Sequence, residues 1–179
     1  MILWRAGLIW LLLAGTAHAL DLSLPAAARQ TVTRDTDPDS YLAPTSAFED
    51  GGFASVKIEG AVARSAWRLE APGLTPLQIM RPLRTQLEDA GYRIVLDCSA
   101  EVCGGFDFRF AIETLPAPNM YVDLRQYQFV TAVTGSLQSP DAVATLLVST
   151  TDTSAYLQIV EADAQGQASS PSVPEVAED

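Results

Sequence analysis

Histidine and lysine are nearly missing from this chain of 179 residues, which has one of each, His18 and Lys57. His18 falls within an N-terminal stretch that reads as a removable leader. The domain left behind then has no imidazole, which excludes Ser-His-Asp and Cys-His catalysis and histidine metal ligation. Basic residues are outnumbered, 11 Lys and Arg against 22 Asp and Glu, for a net charge of −11 that becomes −12 once Arg5 leaves with the leader. Without a basic cluster, binding to nucleic acid or to an anionic membrane surface is excluded, because both rest on neutralising phosphate. Cysteine is also sparse: Cys98 and Cys103 are the only two. Two thiolates without histidine are too few soft ligands for zinc, and their spacing is not the C-x-x-C of redox enzymes.

What is present begins with that leader. Arg5, an apolar run from Ala6 to Ala14 and the small-x-small triplet Ala17-His18-Ala19 describe a secretory signal peptide, residues 1–19, cleaved after Ala19. An uncleaved anchor would need about 20 apolar residues, more than this run supplies. No membrane span is therefore expected after cleavage, and the mean hydropathy of +0.14 is inflated by the leader. The remaining 160 residues suit a single domain over 20–162, and the expected compartment is the periplasm or the outer-membrane surface facing it. In that oxidising compartment the even pair Cys98 and Cys103 is expected to form a disulfide rather than a catalytic dithiol. The loop-entropy model gives about 2 kcal/mol for so short a loop.

Residues 20–50 read as an irregular arm over the domain, since Pro25, Pro38 and Pro44 with Asp35, Asp37 and Asp39 argue against a central strand or a helix. The three aspartates lack the glycine and distal glutamate of a calcium loop. In the strand region from Gly51 to Glu70, Val56, Ile58, Gly60 and Val62 alternate with Lys57, Glu59 and Ala61, as in a half-buried strand, with a bulge or a turn into a second strand through Trp67 and Leu69 expected around Arg64 to Trp67. Thr75, Pro76 and Gln78 form a capping box at the start of a helix over about 75–90, which carries Leu77, Met80, Leu83, Leu87 and Ala90 on one stripe and stops at Gly91. Pro82 inside it predicts a kink. Tyr92 to Asp97 reads as a strand, and Phe106, Phe108 and Phe110, alternating with Asp107 and Arg109, as another, with three aromatics facing the core. A stacking platform is the alternative for those rings. Further strands are expected over Met120 to Val133, Ala142 to Thr150 and Ala155 to Val160. The sum is an α+β fold: a mainly antiparallel sheet packed against one principal helix, with one disulfide. Residues 163–179, rich in Ala, Ser, Pro and acid, read as a disordered tail or linker.

Five segments carry a resemblance. Asp39-Ser40-Tyr41-x-x-Pro44, Glu59-Gly60-x-x-x-Arg64, Ala90-Gly91-Tyr92, the pair Cys98 and Cys103 with Gly-Gly-Phe-Asp-Phe-Arg-Phe after it, and Met120-Tyr121-Val122-Asp123 resemble the N-terminal periplasmic domain that precedes the outer-membrane protein A (OmpA)-like domain in some Gram-negative, particularly alphaproteobacterial, proteins. The resemblance covers about Asp21 to Val160 and is most specific at CGGFDFRF. It implies an envelope location, and it implies contact with peptidoglycan only through a separate C-terminal domain, none of whose residues lie in these 179. It brings no established activity.

Two classes of function follow. One is a non-enzymatic envelope module that contacts another envelope protein or acts as a spacer. The other is a periplasmic ligand-binding or carboxylate-based hydrolytic domain using Glu59, Arg64, Asp107, Arg109 and Asp123. Carboxylates do acid/base work only if they converge in a cleft. Exposed ion pairs on the sheet are the plainer expectation for these five, with no catalytic set, no metal and no cofactor.

Overall fold

The computed structural model describes residues 20–166, 168 and 171. The leader read over 1–19 and 11 of the 17 residues of the tail read over 163–179 lie outside them. The described chain forms one six-stranded antiparallel sheet with three short helices, so it is mainly β. In chain order the elements are β1 (Arg29–Pro44), β2 (Ser55–Glu70), α1 (Pro76–Asp89), β3 (Arg93–Ser99), α2 (Ala100–Cys103), α3 (Gly105–Ala111), β4 (Tyr127–Gly135), β5 (Pro140–Thr150) and β6 (Ser154–Asp163). The sheet order is β1-β2-β6-β5-β4-β3. Among the described residues no helix is long and apolar enough to cross a membrane.

Each face of the sheet has its own cover. On the first, α1 and the extended segment 20–28 pack over Trp67, Leu69, Val130, Leu146, Leu157 and Ile159, all buried. The helix forms where expected: Thr75 Oγ1 accepts the Gln78 N–H at 3.3 Å while Gln78 Oε1 accepts the Thr75 N–H at 2.9 Å, and α1 continues through Pro82. Its buried stripe is Ile79, Met80, Leu83 and Leu87, so Leu77 and Ala90, expected on that stripe, are not part of it.

The second face is closed by the chain between β3 and β4 and by the sheet's own curl. The Tyr41 hydroxyl lies 2.7 Å from Thr145 Oγ1, although β2 and β6 separate β1 from β5 in the sheet. The β1–β2 hairpin therefore arches over this face, and its tip reaches α2, where the Phe48 N–H donates to the Cys103 carbonyl at 2.8 Å. Gly104 makes this approach workable: at φ 110° it suits only glycine, and an added Cβ would stand 2.8 Å from the Phe48 carbonyl oxygen. Gly60 does the same for β6, where a Cβ would lie 2.1 Å from the Asp163 carbonyl oxygen.

Five expectations are corrected. Residues 29–44 form a strand, not an irregular arm, because β1 is an edge strand, where Pro38 and the aspartates remove no bond that a central ladder needs. β2 runs on as one strand and pairs with β6 without interruption from Ala61 to Glu70, so there is no turn at 64–67; the irregularity near there lies in β1, where an extra residue between Gln30 and Val32 stands opposite Trp67 and Ala66. The β2 pattern changes there because both faces become covered, and Ala61 to Trp67 are all buried. Residues 105–111 are helix, not strand: Phe108 is buried, whereas Phe106 and Phe110 are 59 % and 63 % exposed. Finally, β4 starts at Tyr127, and Met120 to Gln126 is loop. Asp163 also belongs to β6, so the tail begins beyond it.

Candidate functional site

The five residues named as participants do not meet. Glu59 is on an exposed part of β2, where its carboxylate is 2.5 Å from Lys57 Nζ, a pair whose side chains are 70 % and 58 % exposed. The Lys57 hydrogen bond and charge hold that carboxyl below its ordinary range. Asp107 is exposed in the first turn of α3. Arg109 is half-buried on the same helix with its guanidinium 5.4 Å from the Phe110 ring centroid, and burial lowers its pKa. Asp123 closes its own turn: its Oδ1 accepts the Arg125 N–H at 2.8 Å, and its backbone N–H donates to Ser149 Oγ at 2.9 Å.

Arg64 alone among them is buried, 6 % exposed, and its partners were not foreseen. Its Nε donates to Glu113 at 2.5 Å, one Nη to Asp39 at 3.1 Å, and the other to Thr36 Oγ1 at 2.9 Å and the Val62 carbonyl at 3.4 Å. Local geometry explains the convergence. One extra residue in β1 between Thr36 and Asp39, a bulge that contains Pro38, turns both of these side chains toward β2. Glu113 arrives from the chain after α3, whose backbone is clamped by the Gln158 amide: the Leu115 N–H donates to Oε1 at 2.7 Å, and Nε2 donates to the Glu113 carbonyl at 3.0 Å. The Thr36 hydroxyl, then the Ser40 N–H, hold Asp39 below the usual carboxylate range. With every nitrogen of its fork engaged, Arg64 ties β1, β2 and the 113–115 segment together and offers no free edge to a carboxylate or phosphate ligand. The one signal in the sequence was that Asp39 and Arg64 both stand in the resemblance motifs.

Cys98 and Cys103 are joined, Cα to Cα 5.2 Å, and among the described residues no cysteine is free. The bridge fixes the end of β3 to the last residue of α2, just ahead of α3. The Tyr127 hydroxyl adds a second tie, donating to the Gly105 carbonyl at 2.8 Å, and burial pushes its pKa up to about 12. Inward, Phe108 meets Phe129 edge-on at 5.0 Å. Outward, Phe106 and Phe110 lie against each other at 4.5 Å, with Val102 of α2 also exposed, at 65 %. Three apolar side chains thus stand in water on a helical unit tied by a disulfide and by the Tyr127 hydroxyl.

A second feature lies under the first face's cover. A cleft of about 340 Å³ between the 23–27 segment and α1 is lined by Leu24, Leu69, Leu74, Ile79, Pro82 and Leu157, with Ser23, Glu70 and Gln78 as its polar members. Among the described residues no group of three or more His, Cys, Asp or Glu is placed to hold a metal ion. Neither a family model nor a curated protein matches the chain.

Proposed function

We propose that this protein is a non-enzymatic module of the cell envelope, exported to the periplasm, which binds another envelope protein through the α2–α3 surface. The observation that carries this reading is the outward pair Phe106 and Phe110, with ring centroids 4.5 Å apart on α3, exposed together with Val102 of the adjoining α2, a unit tied by the Cys98–Cys103 disulfide and by Tyr127. Aromatic side chains clustered in water on a rigid element are the usual anchors of protein interfaces. The scatter of Glu59, Arg64, Asp107, Arg109 and Asp123 over separate partners supports a role without chemistry. The resemblance to the domain that precedes the OmpA-like domain supports the envelope location, and a peptidoglycan tether would belong to a separate domain. The test is recovery of partners from envelope fractions after mild cross-linking. The folded protein retains an envelope protein that its Phe106→Ser, Phe110→Ser double variant loses; equal recovery by both overturns the reading.

The cleft beside α1 favours a second reading, a binding site for a small apolar ligand, because its volume and lining are those of a small-molecule site. Native mass spectrometry of the protein purified from the periplasm distinguishes the two. A co-purified small molecule displaced by Leu74→Trp supports the second reading, and a bare protein speaks against it.

A further inference from the structure

Glu161, on β6, is 2 % exposed, between Ala63 of β2 and Ala144 of β5 in register, on the face that α1 and the 20–24 segment cover. Its Oε1 accepts the backbone N–H of Leu20 at 3.1 Å. That nitrogen is firmly placed. The Leu20, Leu22 and Leu24 side chains are all buried in the core under α1, and Ser23 is clamped by Gln86, its N–H donating to Oε1 at 2.7 Å and its carbonyl accepting from Nε2 at 3.1 Å. Burial, and after it the nearby carboxylates of Glu161 and Asp163, push the Tyr92 phenol up. A positive charge on that nitrogen would make the bond that Glu161 Oε1 already accepts a charge-assisted one, and such bonds are the stronger kind.

Leu20 is also the residue that heads the chain after cleavage at Ala19. We propose that removal of the leader turns this hydrogen bond into a buried ion pair between the new Leu20 α-ammonium and Glu161. A signal peptidase hydrolyses the Ala19–Leu20 peptide bond with water: the hydroxyl goes to the Ala19 carbonyl carbon, and one proton goes to the Leu20 nitrogen. A further proton from solvent then makes the ammonium. The mature domain is then expected to be more stable than a chain carrying one extra residue ahead of Leu20, in which the Leu20 nitrogen stays an uncharged amide. The proposal rests on export with cleavage after Ala19, and its test separates the two.

Lys57 is the sole lysine, so the mature chain has two primary amines, and the Lys57 side chain is 58 % exposed. Near neutral pH an amine-reactive ester ordinarily labels the α-amine first, because it titrates at about 8 against about 10.4 for lysine. For the protein purified from the periplasm, intact mass reads the N-terminus and peptide mapping reads the order of labelling. We expect a chain starting at Leu20 in which Lys57 labels first, with the α-amine slowed at least about tenfold and the ordinary order restored in denaturant. A Leu20 start with the α-amine labelling first in the folded protein overturns the ion pair while leaving the cleavage reading intact. A start at any other residue overturns both. A variant with one glycine inserted before Leu20 is expected to unfold at lower denaturant than the mature chain, and an unchanged midpoint contradicts the proposal. Glu161→Gln, where it folds, restores fast labelling of the α-amine; slow labelling in that variant also contradicts it.

Discussion

The two faces of the sheet are closed by different means. Over one, a fourteen-residue helix with its capping box lays Ile79, Met80, Leu83 and Leu87 on a layer of leucines, and the 20–24 segment finishes the layer. Over the other, helices of four and seven residues, too short to persist alone, are held by the Cys98–Cys103 bridge, by Tyr127 and by the arching β1–β2 hairpin. The first cover turns most of its apolar side chains inward and leaves Leu74 and Leu77 45 % and 41 % exposed, without an aromatic side chain among them. The second turns Phe108 inward and leaves Phe106, Phe110 and Val102 in water. Where local propensity is weak, cross-links and hydrogen bonds hold the backbone, and side chains not needed for packing are free to serve a partner.

The comparison can be broken at several points. The largest effect is expected from Phe108→Ala, which empties the centre of the second cover and lowers unfolding free energy by about 3–5 kcal/mol in denaturant titration. Removing the bridge with Cys98→Ser and Cys103→Ser together is expected to cost about 2 kcal/mol on the same measurement. On the other face Thr75→Ala removes the cap of α1 at about 1 kcal/mol, less than the bridge, since packing holds that helix as well. Phe106→Ala and Phe110→Ala are expected to stay within about 0.5 kcal/mol of the parent, as exposed positions do. If all three phenylalanines cost alike, the segment is the strand first expected there.

That expectation shows what a sequence pattern can and cannot say. Phenylalanines at 106, 108 and 110 alternate as in a strand, yet a helical turn also sets 106 and 110 side by side and 108 opposite. Contacts distant in sequence choose between them, Phe108 with Phe129 and Tyr127 with Gly105. The cap of α1, the disulfide and strands β5 and β6 were legible because each depends on neighbours along the chain. β1 was hidden because prolines and aspartates exclude a strand only when both its edges are paired. The Arg64 cluster was half hidden: Asp39 and Glu113 lie 25 and 49 residues away, and only the fold brings them to one guanidinium.

The smallest effect expected is on the acid side of the stability curve. Asp39 titrates below its ordinary value of 3.8 through the Thr36 hydroxyl and the Ser40 N–H. Its contribution is present above the unfolded-state value and is lost as pH falls through the folded one. Thermal unfolding between pH 5 and pH 2, about the span in which an aspartate charges, is expected to fall less steeply for Asp39→Asn than for the parent. Parallel curves would remove Asp39 from the network.

The central claim is that the second cover, and not the first, meets a partner. A photo-activated cross-linking side chain placed at position 106, and in a separate protein at position 77 on the exposed side of α1, tests it in the periplasm. We expect a discrete envelope-protein adduct from position 106, abolished by Phe110→Ser, with none from position 77. Adducts from position 77 alone, the same adducts from both, or none from position 106 would contradict the claim.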